Sequence, residues 1–181
     1  GLALVPVVLL GAPLIVVGML VAYLADPGSV FLAGRLEAPI AYRNGTAVLF
    51  AMAFWPLVLT AASRHVAPAL RPAALALATC AAGLAFLTQS RGVLIGAVAG
   101  GIVVLAFGPE RLRRALAALV AVAPVALFSH RLLQPYDTFN LESTTIPSAL
   151  VDARAALLLA GLVALGAGCA IVLGDVALRG G

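Results

Sequence analysis

The sequence predicts an all-α fold, a polytopic integral membrane bundle of six transmembrane helices. Three observations carry that expectation. Hydrophobic residues make up 64% of the chain and charged residues 10%, where a soluble domain carries about 25% charged residues. Mean hydropathy is +1.16. The apolar residues fall in long unbroken runs, not in the short alternating segments of a membrane barrel. Lipid offers no partner to a backbone N–H or C=O, so long apolar runs must satisfy themselves as helices.

The length of 181 residues fits a single transmembrane domain. The chain opens on Gly1 and closes on Arg179-Gly180-Gly181, and it reads as a piece of a longer protein. Its first apolar run lacks a basic leading region and a small-residue cleavage site, so it is expected to be a retained span and not a signal peptide. All eleven basic residues are arginine. With the wealth of Ala, Leu, Val and Gly, that bias points to GC-rich bacterial coding, and to a bacterial cytoplasmic membrane as the location.

A span needs about 20 mostly apolar residues, and six stretches qualify in order: 2–24, 45–62, 73–89, 92–108, 115–129 and 155–174. The third and fourth could be one helix. That helix would be roughly 54 Å long at about 1.5 Å per residue. It would also hold Arg91 near the midplane, at a cost of about 2.5–3.5 kcal/mol. Splitting it at Thr88-Gln89-Ser90-Arg91-Gly92 gives two short spans joined as a hairpin, and the hairpin is favoured.

Orientation follows from charge. Six spans put Arg64, Arg71, Arg111, Arg113, Arg114 and Arg179 on one face with Glu110 and Asp175. The other face receives Arg35, Arg43, Arg91, Arg131 and Arg154, balanced by Asp26, Glu37, Asp137, Glu142 and Asp152. The Arg111–Arg114 cluster sits in a tight loop, where the positive-inside rule has most force. Both termini are therefore expected in the cytoplasm, with Tyr23, Tyr42 and Tyr136 forming an outer aromatic belt. Of the two longer outer loops, 25–44 is expected to lie along the interface as a short amphipathic segment. The other, 130–154, contains Gln134-Pro135-Tyr136-Asp137 and Glu142-Ser143-Thr144-Thr145 and reads as an exposed loop.

Arg91 is the most informative residue for chemistry. An arginine in a polar break between apolar runs is a functional candidate by default; it could equally snorkel to head groups and mark the turn. Arg35, Arg43, Arg131 and Arg154 share its face. Such guanidinium groups could gather a diphosphate through their planar forks, or they could pair with the outer acids. Asn44 begins the sequon Asn44-Gly45-Thr46, with a helix N-cap as its better reading. His130 reads as an interfacial anchor or, less readily, a base. Trp55 beside Pro56 reads as packing at a kink. Gly92, Gly96 and Gly100 form a stripe that would let a neighbouring helix approach closely. Cys80 and Cys169 lie inside apolar runs, which suggests neither a disulfide framework nor a metal cluster. No metal signature, phosphate-cradling Gly loop or nucleophile elbow is present, and nucleic-acid binding has no basic footprint.

Two stretches resemble the O-antigen ligase and O-antigen polymerase family of bacterial membrane proteins. One is Arg35-Leu36-Glu37-Ala38-Pro39-Ile40-Ala41-Tyr42-Arg43-Asn44, similar to the family's Pro-x-x-Tyr-x-Asn approach to a helix. The other is Leu87-Thr88-Gln89-Ser90-Arg91-Gly92-Val93-Leu94, similar to its Leu-Thr-x-Ser-Arg-Gly signature between spans. Arg111-Leu112-Arg113-Arg114 also fits, so the resemblance covers residues 35 to 115.

The resemblance implies a GT-C-like membrane glycosyltransferase. Such a protein transfers or polymerises a glycan from a polyprenyl-diphosphate carrier at the outer face, with arginines holding the diphosphate and without a metal or other cofactor. In that scheme Arg91 is the candidate catalytic residue, charging or shaping the carrier site. Arg43, Arg35 and Asn44 are the candidate substrate-binding residues. The family's Gly-rich outer loop with its histidine has no counterpart here, and His130 does not match it. Two other readings stand beside this one: a small-molecule transporter subunit and a non-catalytic membrane anchor.

Overall fold

The computed structural model describes residues 4–107, 110–141 and 146–180, with side chains from Leu10 to Ala177 apart from the gaps. The chain is all-α. Among the described residues it has seven helices: α1 (Leu4–Ala25), α2 (Arg43–Ala62), α3 (Leu70–Leu87), α4 (Arg91–Ala106), α5 (Arg111–Leu127), α6 (Ser129–Asn140) and α7 (Ile146–Gly180). Between α1 and α2 lie a 3-10 turn and a minimal antiparallel hairpin, β1 (Phe31–Leu32) and β2 (Arg35–Leu36), pairing Phe31 with Leu36.

Among the described residues, three helices are long and apolar enough to cross a membrane: α2, α3 and the stretch Ile146–Ala177 of α7. A fourth is gained if α5 and α6, bent by 47° where they meet, make one span. The stretch of α1 with described side chains, Leu10–Ala25, and α4, Arg91–Ala106, are shorter apolar segments. Large apolar side chains face outward, including Leu14 and Val21 on α1, Ile95 and Ile102 on α4, and Leu162 on α7. A soluble monomer rarely exposes so much contiguous apolar surface, and lipid is the solvent that suits it. This is a membrane protein.

The centre is α3, which packs on α2 along one side and on α7 along the other. Its inward positions are small: Ala74, Ala78 and Ala81, with Leu84 and Leu87, are all buried. Backbones can then come close, which is how membrane helices gain contact where lipid removes the hydrophobic drive. Close approach is literal at Gly161, where an added Cβ would sit 2.9 Å from Cys80 Sγ, and at Gly168, where it would sit 2.8 Å from Pro72 Cα.

Several expectations are corrected. The stripe Gly92, Gly96, Gly100 does not seat a helix among the described residues. A Cβ on Gly92 or Gly96 would meet nothing within 4 Å. The close contact lies one residue off the stripe, at Gly101, where a Cβ would fall 2.6 Å from Trp55 Cζ2. The chain does break at Arg91, yet α4 rests chiefly on α2 and α5, not back on α3. Trp55 marks that docking; α2 runs through Pro56 as one helix.

The 130–154 stretch is largely helical. Gln134-Pro135-Tyr136-Asp137 lies in α6, whose buried Leu132 and Pro135 form the inner side of an amphipathic helix. Asp152 and Arg154 belong to the early turns of α7, which starts at Ile146 and not at Ala155. At roughly 48 Å for its apolar stretch, α7 exceeds the roughly 30 Å hydrocarbon layer, so its ends reach beyond it. Glu142-Ser143-Thr144-Thr145 lies outside the described residues, as do Gly108 and the side chain of Arg179. Tyr23 is not part of a lipid-facing belt. It is buried, and its hydroxyl donates to the Leu150 carbonyl at 3.0 Å.

Candidate functional site

The site begins at the chain break. Thr88 ends α3, its hydroxyl donating to the Ala85 carbonyl at 2.7 Å. Gln89 follows with φ 56°, the left-handed conformation that commonly stops a helix. Its side-chain amide donates to the Phe86 carbonyl at 3.1 Å. The chain turns here, and Arg91 becomes the first residue of α4.

Arg43 is likewise the first residue of α2. The two helix starts are tied together: Ser90 Oγ donates to Asn44 Oδ1 at 3.0 Å, and Asn44 Nδ2 donates to the Tyr42 hydroxyl at 3.0 Å. Asn44 is therefore not an N-cap. The cap position falls to Tyr42, and neither Tyr42 nor Ser90 makes a side-chain capping bond. Because α2 starts one residue before Asn44, that side chain is freed to reach across to α4. Thr46, the third residue of the sequon, is fully buried and donates to the Glu37 carbonyl at 2.6 Å.

Arg35 arrives from the hairpin. Ala33 and Gly34 form its turn with φ 51° and 70°, the positive pair that suits a two-residue hairpin connection. Gly34 lies against α6, where an added Cβ would sit 2.5 Å from the Pro135 carbonyl. Only glycine allows both the backbone conformation and that approach. The next residue, Arg35, then stacks on Tyr136 with its guanidinium carbon 4.5 Å from the ring centroid.

These pieces enclose a cavity of about 470 Å³, lined by Arg35, Arg43, Asn44, Ser90, Arg91 and Tyr136 among others. The volume is within the roughly 300–1,000 Å³ of small-molecule sites. The structure thus brings together all four residues singled out from sequence: Arg91, Arg43, Arg35 and Asn44. His130 is exposed and is not among the lining residues. Tyr136, Ser90 and Gln89 were not anticipated at the site. Tyr136 comes from a segment whose composition predicts an exposed loop, and it lies in α6.

The cavity is built for negative charge. It carries three guanidinium groups and, among the described residues, no lining carboxylate. Among the described residues, Arg35, Arg43 and Arg91 form no ion pair; every ion pair involves Arg64, Arg71 or Arg113 instead. The expected pairing with outer acids is thus not found for these three. Arg35 Nε is buried without a hydrogen-bond partner among the described residues. Two helix starts, Arg43-Asn44 and Arg91-Gly92-Val93, also line the cavity, and first-turn N–H groups with the positive dipole end attract anions.

A second space opens beside it. An apolar groove of about 480 Å³ shares Gln89, Ser90, Arg91 and Val93 with the cavity. It continues between α2, α3, α4 and α5, past Phe54, Trp55, Phe86, Val98 and Ile102. The groove occupies the space that a tight α3–α4 hairpin would have closed. Its walls are hydrocarbon and aromatic, with Trp55 Nε1 as a buried donor lacking a partner among the described residues. Charged head space and apolar channel therefore meet at Arg91.

Compared with family models, with curated proteins and with solved structures, the chain finds no match.

Proposed function

We propose that this protein is a membrane glycosyltransferase of the O-antigen ligase or polymerase type, acting on a glycan carried by a polyprenyl diphosphate at the outer face of a bacterial cytoplasmic membrane. The observation that carries the reading is the continuity of the arginine cavity with the apolar groove at Arg91. A prenyl diphosphate has the same two-part form, a doubly charged head on a hydrocarbon tail.

In this reading the diphosphate lies among Arg35, Arg43 and Arg91, and the first isoprene units enter the groove. The glycosidic bond to the diphosphate breaks as the acceptor hydroxyl attacks the anomeric carbon; the bond electrons pass to the departing diphosphate oxygen, and the hydroxyl proton is released to water. Fixed guanidinium charges stabilise that oxygen as charge accumulates on it. Asn44 and Ser90 hold the two helix starts in register, so their role is positioning. A transporter would gather polar groups near the midplane. Here the ionisable groups that line spaces gather towards the two ends of the helices, and the groove between is apolar, which favours a lipid-linked substrate.

The test is glycan transfer from lipid carriers in membranes holding the complete protein. Arg91→Lys keeps the charge but loses the fork, and Arg91→Ala loses both. Each is expected to lower transfer by about 10²–10³ at equal protein level. Wild-type rates in Arg91→Ala would remove Arg91 from the reaction.

A further inference from the structure

At the opposite end of the bundle, Asp175 of α7 accepts two hydrogen bonds on one oxygen, from Arg71 Nη2 at 2.7 Å and Arg113 Nη2 at 2.9 Å. Arg71 is only 6% exposed, and its Nε donates to the Ala61 carbonyl at 3.2 Å. Beside the cluster is a pocket of about 200 Å³ whose lining includes Arg64, Arg71, Arg113 and Asp175. Three positive charges thus face one negative one. Arg64 has Glu110 as its nearest acid, at 4.0 Å and largely in solvent. Arg113 Nη1 is buried and has no hydrogen-bond partner among the described residues. A buried guanidinium N–H left unmade is costly, and it marks a place where an acceptor is missing.

The remaining wall is apolar, including Leu116 and Ile171, both of which also face outward from the helix bundle. The pocket is smaller than the roughly 300 Å³ at which drug-sized sites begin, so it admits a compact anionic group whose hydrocarbon continues outside. We propose that this pocket holds the phosphodiester head of an anionic phospholipid, in the leaflet opposite the Arg91 cavity. Basic pockets between transmembrane helices are a recurring form of head-group site. The bound phosphate oxygen accepts from Arg113 Nη1 and faces Arg64, while the acyl chains lie along Leu116 and Ile171. The lipid adds a tie between α5 and α3 and α7 beside the one that Asp175 makes. This inference is independent of glycan transfer and stands if that reading fails.

The experiment uses the purified full chain in neutral detergent, with native mass spectrometry and thermal unfolding as readouts. Phosphatidylglycerol is expected to bind at one per chain and to raise the unfolding temperature saturably, with phosphatidylcholine doing neither. Arg113→Gln is expected to weaken phosphatidylglycerol binding at least about tenfold, as loss of a charge-assisted contact would. Should Arg113→Gln not fold, exposed Arg64→Gln carries the test with an expected loss of about two- to fivefold. Arg131→Gln removes an arginine far from the pocket and is expected to leave binding unchanged. Equal binding of phosphatidylcholine, or equal loss in Arg131→Gln, would overturn the site. Stabilisation by inorganic phosphate as strong as by phosphatidylglycerol would overturn the lipid assignment.

Discussion

The Arg35 guanidinium carbon lies 4.5 Å from the centroid of the Tyr136 ring, and that stacking holds the cavity's third arginine in place. The Tyr136 phenol is held below the usual tyrosine range, first by a hydrogen bond with Asn140, then by Arg35 and the Arg35 and Arg91 charges. Phenylalanine at 136 keeps the face for Arg35, whereas alanine removes it. Tyr136→Ala is expected to weaken binding of a polyprenyl diphosphate about two- to fivefold, and Tyr136→Phe to leave neutral-pH binding near wild type. Because the pKa is lowered, the phenolate forms at a lower pH than the ordinary value of about 10. Its negative charge opposes an anionic ligand, so binding falls as pH rises through the lowered pKa and stays level below it. Tyr136→Phe removes the alkaline decline. Isothermal titration from neutral to alkaline pH measures both effects.

The tie between Ser90 and Asn44 joins α2 and α4 across 46 residues of sequence. Ser90→Ala and Asn44→Ala are each expected to cost about 0.5–1.5 kcal/mol of stability. Their double mutant should cost less than the two together, since both remove the same bond. Strict additivity in denaturant unfolding would show that the bond is not formed.

Gly101 decides how α4 docks. Gly101→Leu forces a side chain into Trp55 and is expected to destabilise the fold by about 1–3 kcal/mol. Gly96→Leu, facing open space, is expected to be tolerated. Trp55 fluorescence reports both: a shift in Gly101→Leu and none in Gly96→Leu. The reverse pattern would restore the glycine stripe as the packing surface.

Much of the fold was legible because it follows from local physics. Long apolar runs must be helices in lipid, and an arginine between two of them must break the chain. That reasoning located the Arg91 turn. Arg35 and Arg43 stand out by charge and position and Asn44 through the resemblance, but the arrival of Arg35 at the other two depends on a hairpin turn at Ala33-Gly34. An alanine with positive φ carries no sequence signal for such a turn. Gln134-Pro135-Tyr136 has the composition of a loop, and the burial of Leu132 and Pro135 that makes it a helix is a tertiary effect. The Gly92, Gly96, Gly100 spacing predicts a helix-packing stripe that the structure does not use, because spacing cannot say whether a partner sits against it. Arg71 and Asp175 are 104 residues apart, and no local pattern joins them.

Topology follows from the charge clusters at the two ends. With the Arg111–Arg114 first turn of α5 in the cytoplasm, an impermeant thiol reagent applied to intact cells is expected to label Asn140→Cys and not Arg113→Cys. The reverse would invert the protein and place the Arg91 cavity on the cytoplasmic side.

The central claim is that the arginine cavity and the apolar groove hold one amphipathic ligand, head and tail. A prenyl diphosphate with a photoreactive group on an early isoprene unit measures this directly. Irradiation in membranes followed by peptide mass spectrometry is expected to place adducts on groove residues of α2 and α4, such as Phe54, Trp55, Val98 and Ile102. Excess unlabelled prenyl diphosphate should suppress them, and uncharged prenol should not. Arg91→Ala should lower the yield at least about tenfold. Adducts spread over the lipid-facing sides of α1 and α7, or groove labelling that prenol suppresses equally well, would contradict the account.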